Sequence, residues 1–173
     1  TYFIDTNTCN YAVFNHLAKK FEVREIESPI PLLKAVKNTT ELDGFRLACR
    51  KDGVALSKFY YWLENRLSQQ PITELEAAEQ LTWFRSQDKE YVSDSFGCIS
   101  AYGPNAALPH YSATPEQQSE IHPKGLYLVD SGAQYMHGTT DITRTMPLGE
   151  LTELEKEDYT LVLKGMIDLS MLY

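Results

Sequence analysis

Leu126-Tyr127-Leu128-Val129-Asp130-Ser131-Gly132, followed after a glycine-bearing turn by Asp141-Ile142-Thr143-Arg144-Thr145, is the stretch on which the fold turns. The first segment is a near-continuous apolar run of strand length that ends in a carboxylate, a group seldom placed there for packing. The second alternates, with Asp141, Thr143 and Thr145 on one face of an extended chain and Ile142, Arg144 and Met146 on the other. Strands are therefore expected over 126–131 and 140–146, joined as a hairpin. Paired strands lie about 4.8 Å apart, so Asp130 and Asp141 come within reach of two metal ions about 3.5–4 Å from one another. Hard carboxylate oxygens favour Mn, Mg, Co or Zn over soft metals. A cation between them also removes the repulsion that would keep one of two close carboxylates protonated. The competing reading is an ordinary hairpin with one Asp in the turn and the other bonded to Arg144.

Upstream of this hairpin, period-two patterning with Gly and Pro punctuation begins at Tyr91 and predicts a further strand over 95–102. Two helices precede it. In the first, over 38–69, Leu42, Phe45, Cys49, Gly53, Leu56, Tyr60, Leu63 and Leu67 recur at spacings of three and four and form one core-facing stripe. Asn38 with Glu41 opens it as a capping box, and Pro71 stops it. Gly53 lies mid-stripe, where the cost of glycine in a helix predicts a close packing partner. The second helix, 73–86, has Thr73 and Glu76 as its cap and makes a hairpin with the first. Downstream, Leu151 to Tyr173 reads as a helix with Val162, Met166, Leu169 and Tyr173 on one face and no Gly, Asn or Pro to end it. Helix, helix, three strands, helix defines an α+β class with an antiparallel sheet.

The first thirty-odd residues read separately. Tyr2-Phe3-Ile4-Asp5 is strand-like, with a helical arm through Tyr11 to Lys20 as the alternative, and Phe21 to Ile26 alternates as a half-buried strand does. Ser28-Pro29-Ile30-Pro31 is expected to break regular structure and act as a linker. This divides the chain into 1–33 and 34–173. No Met precedes Thr1 and the last helix lacks a stop, so both ends are expected to be cut.

With 173 residues, 43% of them hydrophobic, the chain suits one domain and a piece of another. The charge of −8 without a Lys/Arg block argues against nucleic acid as a partner. No window approaches the ~18 apolar residues of a bilayer span, which argues against a membrane. Cys9, Cys49 and Cys98 are odd in number and form no CxxC pair, so buried, reduced thiols in a cytoplasmic setting are expected. Nucleophile-elbow, phosphate-loop and dinucleotide glycine patterns are absent, and Ser131 before Gly132 has no base within its motif, so covalent catalysis is not supported. Among the histidines, His110 stands in a loop, Gly103 to Tyr111, of small and apolar residues where it can face a substrate carbonyl. A plain surface histidine is the alternative there. His122 beside Pro123 reads as solvated, His137 sits in the turn before Asp141, and His16 lies outside the site.

At Asp130-Ser131-Gly132 through Gly138-Thr139-Thr140-Asp141-Ile142-Thr143-Arg144-Thr145 the sequence resembles the Xaa-Pro aminopeptidases, the aminopeptidase P family. Lys34-Ala35-Val36-Lys37-Asn38 with Glu41 looks like the opening of that family's catalytic domain, and Gly103-Pro104-Asn105 leading to Pro109-His110-Tyr111 looks like its substrate loop. The resemblance implies the first half of a pita-bread catalytic domain, with residues 1–33 as the tail of an amino-terminal creatinase-like domain. It implies Asp130 and Asp141 as metal ligands, Asp141 bridging, and His110 as the catalytic residue that contacts substrate. Two divalent ions, Mn in most of the family with Zn or Co as alternatives, would activate water for attack on the carbonyl preceding a proline in second position. The remaining ligands, a His and a pair of Glu, would lie beyond Tyr173, so the chain alone is expected to be inactive and its parent to be a homo-oligomer. A dipeptidase of the prolidase type and a non-catalytic pita-bread binding module remain the alternatives.

Overall fold

In a computed structural model the described residues are 1–172; the final position of the predicted last helix, Tyr173, lies outside them. The chain divides into two compact units, Thr1–Leu42 and Asp43–Tyr173.

The first unit pairs β1 (Tyr2–Ile4) with β2 (Val23–Glu25) in parallel, across α1 (Tyr11–Ala18). Both sequence alternatives for this region are realised, since the strand and the helical arm coexist. Asn10 caps α1 by accepting from the Ala12 amide at 2.9 Å. The expectation that Ser28 to Pro31 would break regular structure is corrected: α2 (Ile30–Ala35) starts inside it. Pro31 stands in the first turn, where its missing N–H would have had no helical partner.

The second unit is built on α3 (Thr39–Leu67), which begins upstream of it, and α4 (Glu74–Ser86), joined through β3 (Ile72–Thr73). The predicted caps are present. Asn38 Oδ1 accepts from the Glu41 amide while Glu41 returns a bond to the Asn38 amide, and Thr73 with Glu76 does the same for α4. After α4 come β4 (Tyr91–Asp94), β5 (Ile99–Tyr102), a 3-10 turn over Gly103–Ala107, and β6 (Glu120–Ile121), which pairs with β3. Then follow β7 (Leu126–Ser131), β8 (Ala133–Tyr135), β9 (Gly138–Thr139), β10 (Ile142–Pro147) and α5 (Glu153–Ser170).

The principal sheet is antiparallel with strand order β10-β7-β5, and a second antiparallel sheet runs β4-β8-β9. The strand predicted over 95–102 is corrected: only Ile99–Tyr102 is strand, residues 95–98 are not, and β4 ends before them. Just past β4, the Ser95 amide donates to Gly132 O at 3.0 Å and its hydroxyl to Thr140 O at 2.8 Å. Leu56, Phe59, Leu63 and Leu67 of α3, Ala77 and Leu81 of α4, and Tyr127 and Val129 of β7 share one core. Both helices therefore cover the same face of the sheet.

Two details of the predicted α3 stripe are corrected. Its first half is turned toward Ala48, Asp52 and Ala55 rather than Cys49 and Gly53, and a methyl added at Gly53 would meet nothing within 4 Å. Nor are the thiols buried as expected: Cys49 is exposed and Cys9 and Cys98 are intermediate. No described helix is long and apolar enough to cross a membrane.

Candidate metal centre

β7 alternates cleanly. Tyr127, Val129 and Ser131 are buried against the helices, which leaves Leu126, Leu128 and Asp130 on the opposite face. Being the central strand, β7 places Asp130 directly across from Thr143 of β10 on one side and Ile99 of β5 on the other. Directly opposed residues share a face, so Asp130, Thr143 and Ile99 form one row. Asp141 precedes Thr143 by two positions and continues that face, just before β10 begins. The two carboxylates are thereby diagonal neighbours, a relation that spans about 7–8 Å in an antiparallel ladder.

Asp130 Oδ1 is fully shielded from solvent, yet no protein atom hydrogen-bonds to it. A buried carboxylate oxygen without a partner costs free energy on the order of kcal/mol, so native proteins pair such atoms with a protein group, an ordered water or an ion. Arg144 does not supply it: its guanidinium donates to the Thr143 carbonyl at 2.7 Å, contrary to the ordinary-hairpin reading. Asp141 is exposed. An orphaned, buried carboxylate oxygen with a second carboxylate on the same face fits a hard cation. The donor set is short, however, for among the described residues no group of three or more His, Cys, Asp or Glu side chains converges on a metal position.

The third sequence-predicted residue, His110, belongs to the loop that follows β5. His110 is exposed and holds φ at +56°, the left-handed region that non-glycine residues adopt uncommonly and histidine more often than most. Its loop leaves the sheet at Tyr102, whereas Asp130 pairs at Ile99, at the other end of β5. That is roughly 10 Å along the strand. The loop is anchored by Glu74, a fully buried carboxylate at the start of α4 that accepts from the amides of Tyr102 and Ser119, from Asn105 Nδ2 and from the Tyr111 hydroxyl. Burial, reinforced by that bond to Glu74, pushes the Tyr111 hydroxyl up to about 12. His137 is engaged elsewhere, with Nε2 3.2 Å from Glu90 Oε1, and His122 lies 3.7 Å from Glu120.

Sequence reasoning missed a second polar cluster directly behind the carboxylates. Asp52 of α3 and Arg85 of α4 are both buried and paired, Arg85 Nε to Asp52 Oδ1 at 2.6 Å and Nη2 to Oδ2 at 3.1 Å. The available signal was their position: Ala48-Asp52-Ala55 and Ala77-Leu81-Arg85 are core-facing helical spacings with a charge where an apolar residue is expected.

Asp130 and Asp141 thus share one face of a helix-backed antiparallel sheet, a donor chemistry that fits a hard cation. The model of metallopeptidase family M24 matches residues 43–171, and the chain belongs to that family. It is 51% identical over 148 residues to a probable Xaa-Pro aminopeptidase P of Paracoccidioides brasiliensis, an alignment that covers 84% of this chain and 24% of the relative. An X-prolyl aminopeptidase of Caenorhabditis elegans, described as a cytosolic enzyme with a di-nuclear active site, superimposes with a TM-score of 0.76 at 36% identity, over 87% of this chain and 25% of that one. An Xaa-Pro dipeptidase from Bacillus anthracis superimposes with a TM-score of 0.81 over 95% of this chain and 44% of that one, and at 24% identity it shows the shared pita-bread fold alone. The chain spans about a quarter of the length of the curated relatives it matches.

Proposed function

We propose that the protein to which this chain belongs is a metal-dependent exopeptidase that releases the amino-terminal residue from peptides with proline in the second position. The observation that carries this reading is the orphaned Asp130 oxygen on the same sheet face as Asp141. The aminopeptidase names among relatives as similar as 51% supply the bond specificity, and they favour an aminopeptidase over a dipeptidase, which enters only through a likeness of fold.

In this reading Asp130 and Asp141 hold two divalent ions, manganese first among them, and ligands outside this chain complete the site. Such ions supply a lowered pKa for bound water and polarisation of the scissile carbonyl. The peptide bond before proline lacks an N–H, so a protease cannot grip it through the usual backbone donor, and electrophilic activation of its carbonyl gains in value. His110, held in its left-handed conformation by the Glu74-anchored loop, contacts the substrate beside the scissile bond. The domain limits of 1–33 and 34–173, a cytosolic location like that of the nematode enzyme and a homo-oligomeric parent belong to the same proposal. An outward row on α5, which buries none of its residues and exposes Val162, Met166 and Leu169, supports association with further protein surface.

The test is release of the first residue from an Xaa-Pro-Pro peptide by the full-length protein with added Mn²⁺, followed by mass spectrometry. Activity that disappears with a chelator, and in Asp130→Asn and Asp141→Asn, is expected, together with none from the 173-residue chain by itself. Full activity in either Asn variant would defeat the assignment.

A further inference from the structure

Ser131 and Thr140, the chain neighbours of Asp130 and Asp141, are joined through the interior by a closed polar ring. Ser131, next to Asp130, accepts from Arg85 Nη2 at 3.0 Å, and the Gly132 carbonyl accepts from Arg85 Nη1 at 3.4 Å. Arg85 grips Asp52 in the two-point geometry already given. Asp52 Oδ2 in turn accepts from the hydroxyl of Thr140, the residue next to Asp141. That hydroxyl also accepts from the Ala133 amide at 2.9 Å, which ties the two arms of the hairpin together. Ser131 and Thr140 are buried, as are both members of the ion pair.

The backbone geometry at the crossing is equally constrained. A Cβ at Gly132 would meet Thr140 O at 2.0 Å and Ser95 Oγ at 2.3 Å, so only glycine lets the two arms approach this closely. Ser95 then fastens both arms through its amide and hydroxyl.

A buried ion pair is a poor source of net stability, because desolvation offsets most of the attraction and an apolar pair of the same size often does as well. What it supplies here is direction. A guanidinium fork and a carboxylate with fixed donors leave Ser131 and Thr140 one arrangement each, and their neighbours are the two site carboxylates. We infer that the Ser131–Arg85–Asp52–Thr140 ring is a positioning device that sets the separation and aim of Asp130 and Asp141 toward their metal ions. This rests on the metal reading of those carboxylates. None of the four side chains touches metal or substrate; each acts through the backbone of a ligand's neighbour.

The experiment titrates the metal-free full-length protein with Co²⁺ alone and records affinity and the visible d–d spectrum, which reports coordination geometry, alongside the thermal midpoint of the metal-free form. Thr140→Val is close in size but lacks the hydroxyl, and Thr140→Ser restores it. Ser131→Ala removes one contact to Arg85, and Arg85→Lys keeps the charge without the fork. Leu81→Val, in the same core but outside the ring, controls for lost stability.

Outer-shell substitutions typically weaken metal affinity about 10- to 100-fold. We expect Thr140→Val to fall in that range with an altered spectrum, Ser131→Ala and Arg85→Lys to follow in the same direction, and Thr140→Ser to recover the wild-type spectrum. Leu81→Val should lower the thermal midpoint with the Co²⁺ signature unchanged. Thr140→Val and Ser131→Ala with wild-type affinity and spectrum would overturn the ring as a positioning device while leaving the metal centre standing. A wild-type protein that binds no Co²⁺ would remove the metal reading, and this inference with it.

Discussion

The Tyr111 hydroxyl donates a 2.7 Å hydrogen bond to Glu74 Oε2, so the residue beside His110 is tied to a carboxylate at the start of α4, thirty-seven positions away in the chain. Asn105 and the amides of Tyr102 and Ser119 converge on the same group. Both ends of the loop and its middle therefore share one acceptor. Glu74→Ala would strand several buried donors at once, and a single such bond to a carboxylate is worth about 1.5–3 kcal/mol. We expect Glu74→Ala to cost at least about 3 kcal/mol in chemical denaturation, and Tyr111→Phe about 1.5 kcal/mol. In Tyr111→Phe, limited proteolysis should cut between 103 and 119 faster than in the wild type while cleavage elsewhere is unchanged. An unaltered cleavage pattern would show that the loop is held by something else.

The glycines separate by what surrounds them. Gly53 lies within α3 with open space where a Cβ would go, so Gly53→Ala should gain the helix-propensity difference, about 0.8–1 kcal/mol. Gly44 of the same helix is its opposite, since a Cβ there would meet His137 O at 2.3 Å. Gly44→Ala is expected to cost about 1–3 kcal/mol as helix and hairpin are forced apart. Equilibrium denaturation of the two variants side by side checks the pair, and equal effects would contradict it.

How much of this was legible in the sequence follows from which interactions are local. Caps at Asn38/Glu41 and Thr73/Glu76, and the strand 126–131, are set by neighbours within a few residues, and all three stand where the pattern put them. The antiparallel pairing of 126–131 with the strand that follows Asp141 was legible for the same reason, because hairpin register follows from alternation. Asp52 and Arg85 were not. Their pairing joins two helices across thirty-three positions, and in sequence each looks like a surface charge. Gly53 misled because a helical stripe fixes spacing but not its rotation against a partner. The alternative spacing through Ala48, Asp52 and Ala55 won once Gly44 had to admit His137. The first-half stripe thus packs on a contact ninety-three residues downstream.

Acid sensitivity has an identifiable local source. Lys51 bonds Asp88 at 2.9 Å and also bonds Glu90. Those bonds are the leading reason that Asp88 and Glu90 sit below their ordinary values of 3.8 and 4.5, with His137 adding to the effect on Glu90. A carboxylate lowered in the folded state contributes stability that is complete above its unfolded value and is lost as pH falls through the folded one. Lys51 is raised above 10.5 by the same bonds, so its share is complete below that value and is lost only as pH climbs beyond it. Lys51→Met should therefore flatten the decline of the thermal midpoint between about pH 5 and about pH 3, because the unpaired carboxylates no longer differ as much between the two states. A decline as steep as in the wild type would place the acid-labile contacts elsewhere.

Thiol chemistry distinguishes the cysteines by burial. Cys49 is exposed on α3, whereas burial pushes the Cys98 thiol, at the foot of β5, up to about 12. Nearby Asp94 and Asp130 add to that rise and Arg85 opposes it. The thiolate is the reactive species, and at about pH 8 a group with that value is ionised roughly a thousand-fold less than an ordinary cysteine. Iodoacetamide at about pH 8 should therefore modify Cys49 first and Cys98 last, with Cys9 between them because it is partly covered. Denaturant should bring the three to similar rates, since the difference arises from folding alone. Mass spectrometry of the peptides over time reads the order directly. Labelling of Cys98 as fast as Cys49 in the folded protein would mean that the start of β5 opens readily, and Ile99, the strand partner of Asp130, would open with it.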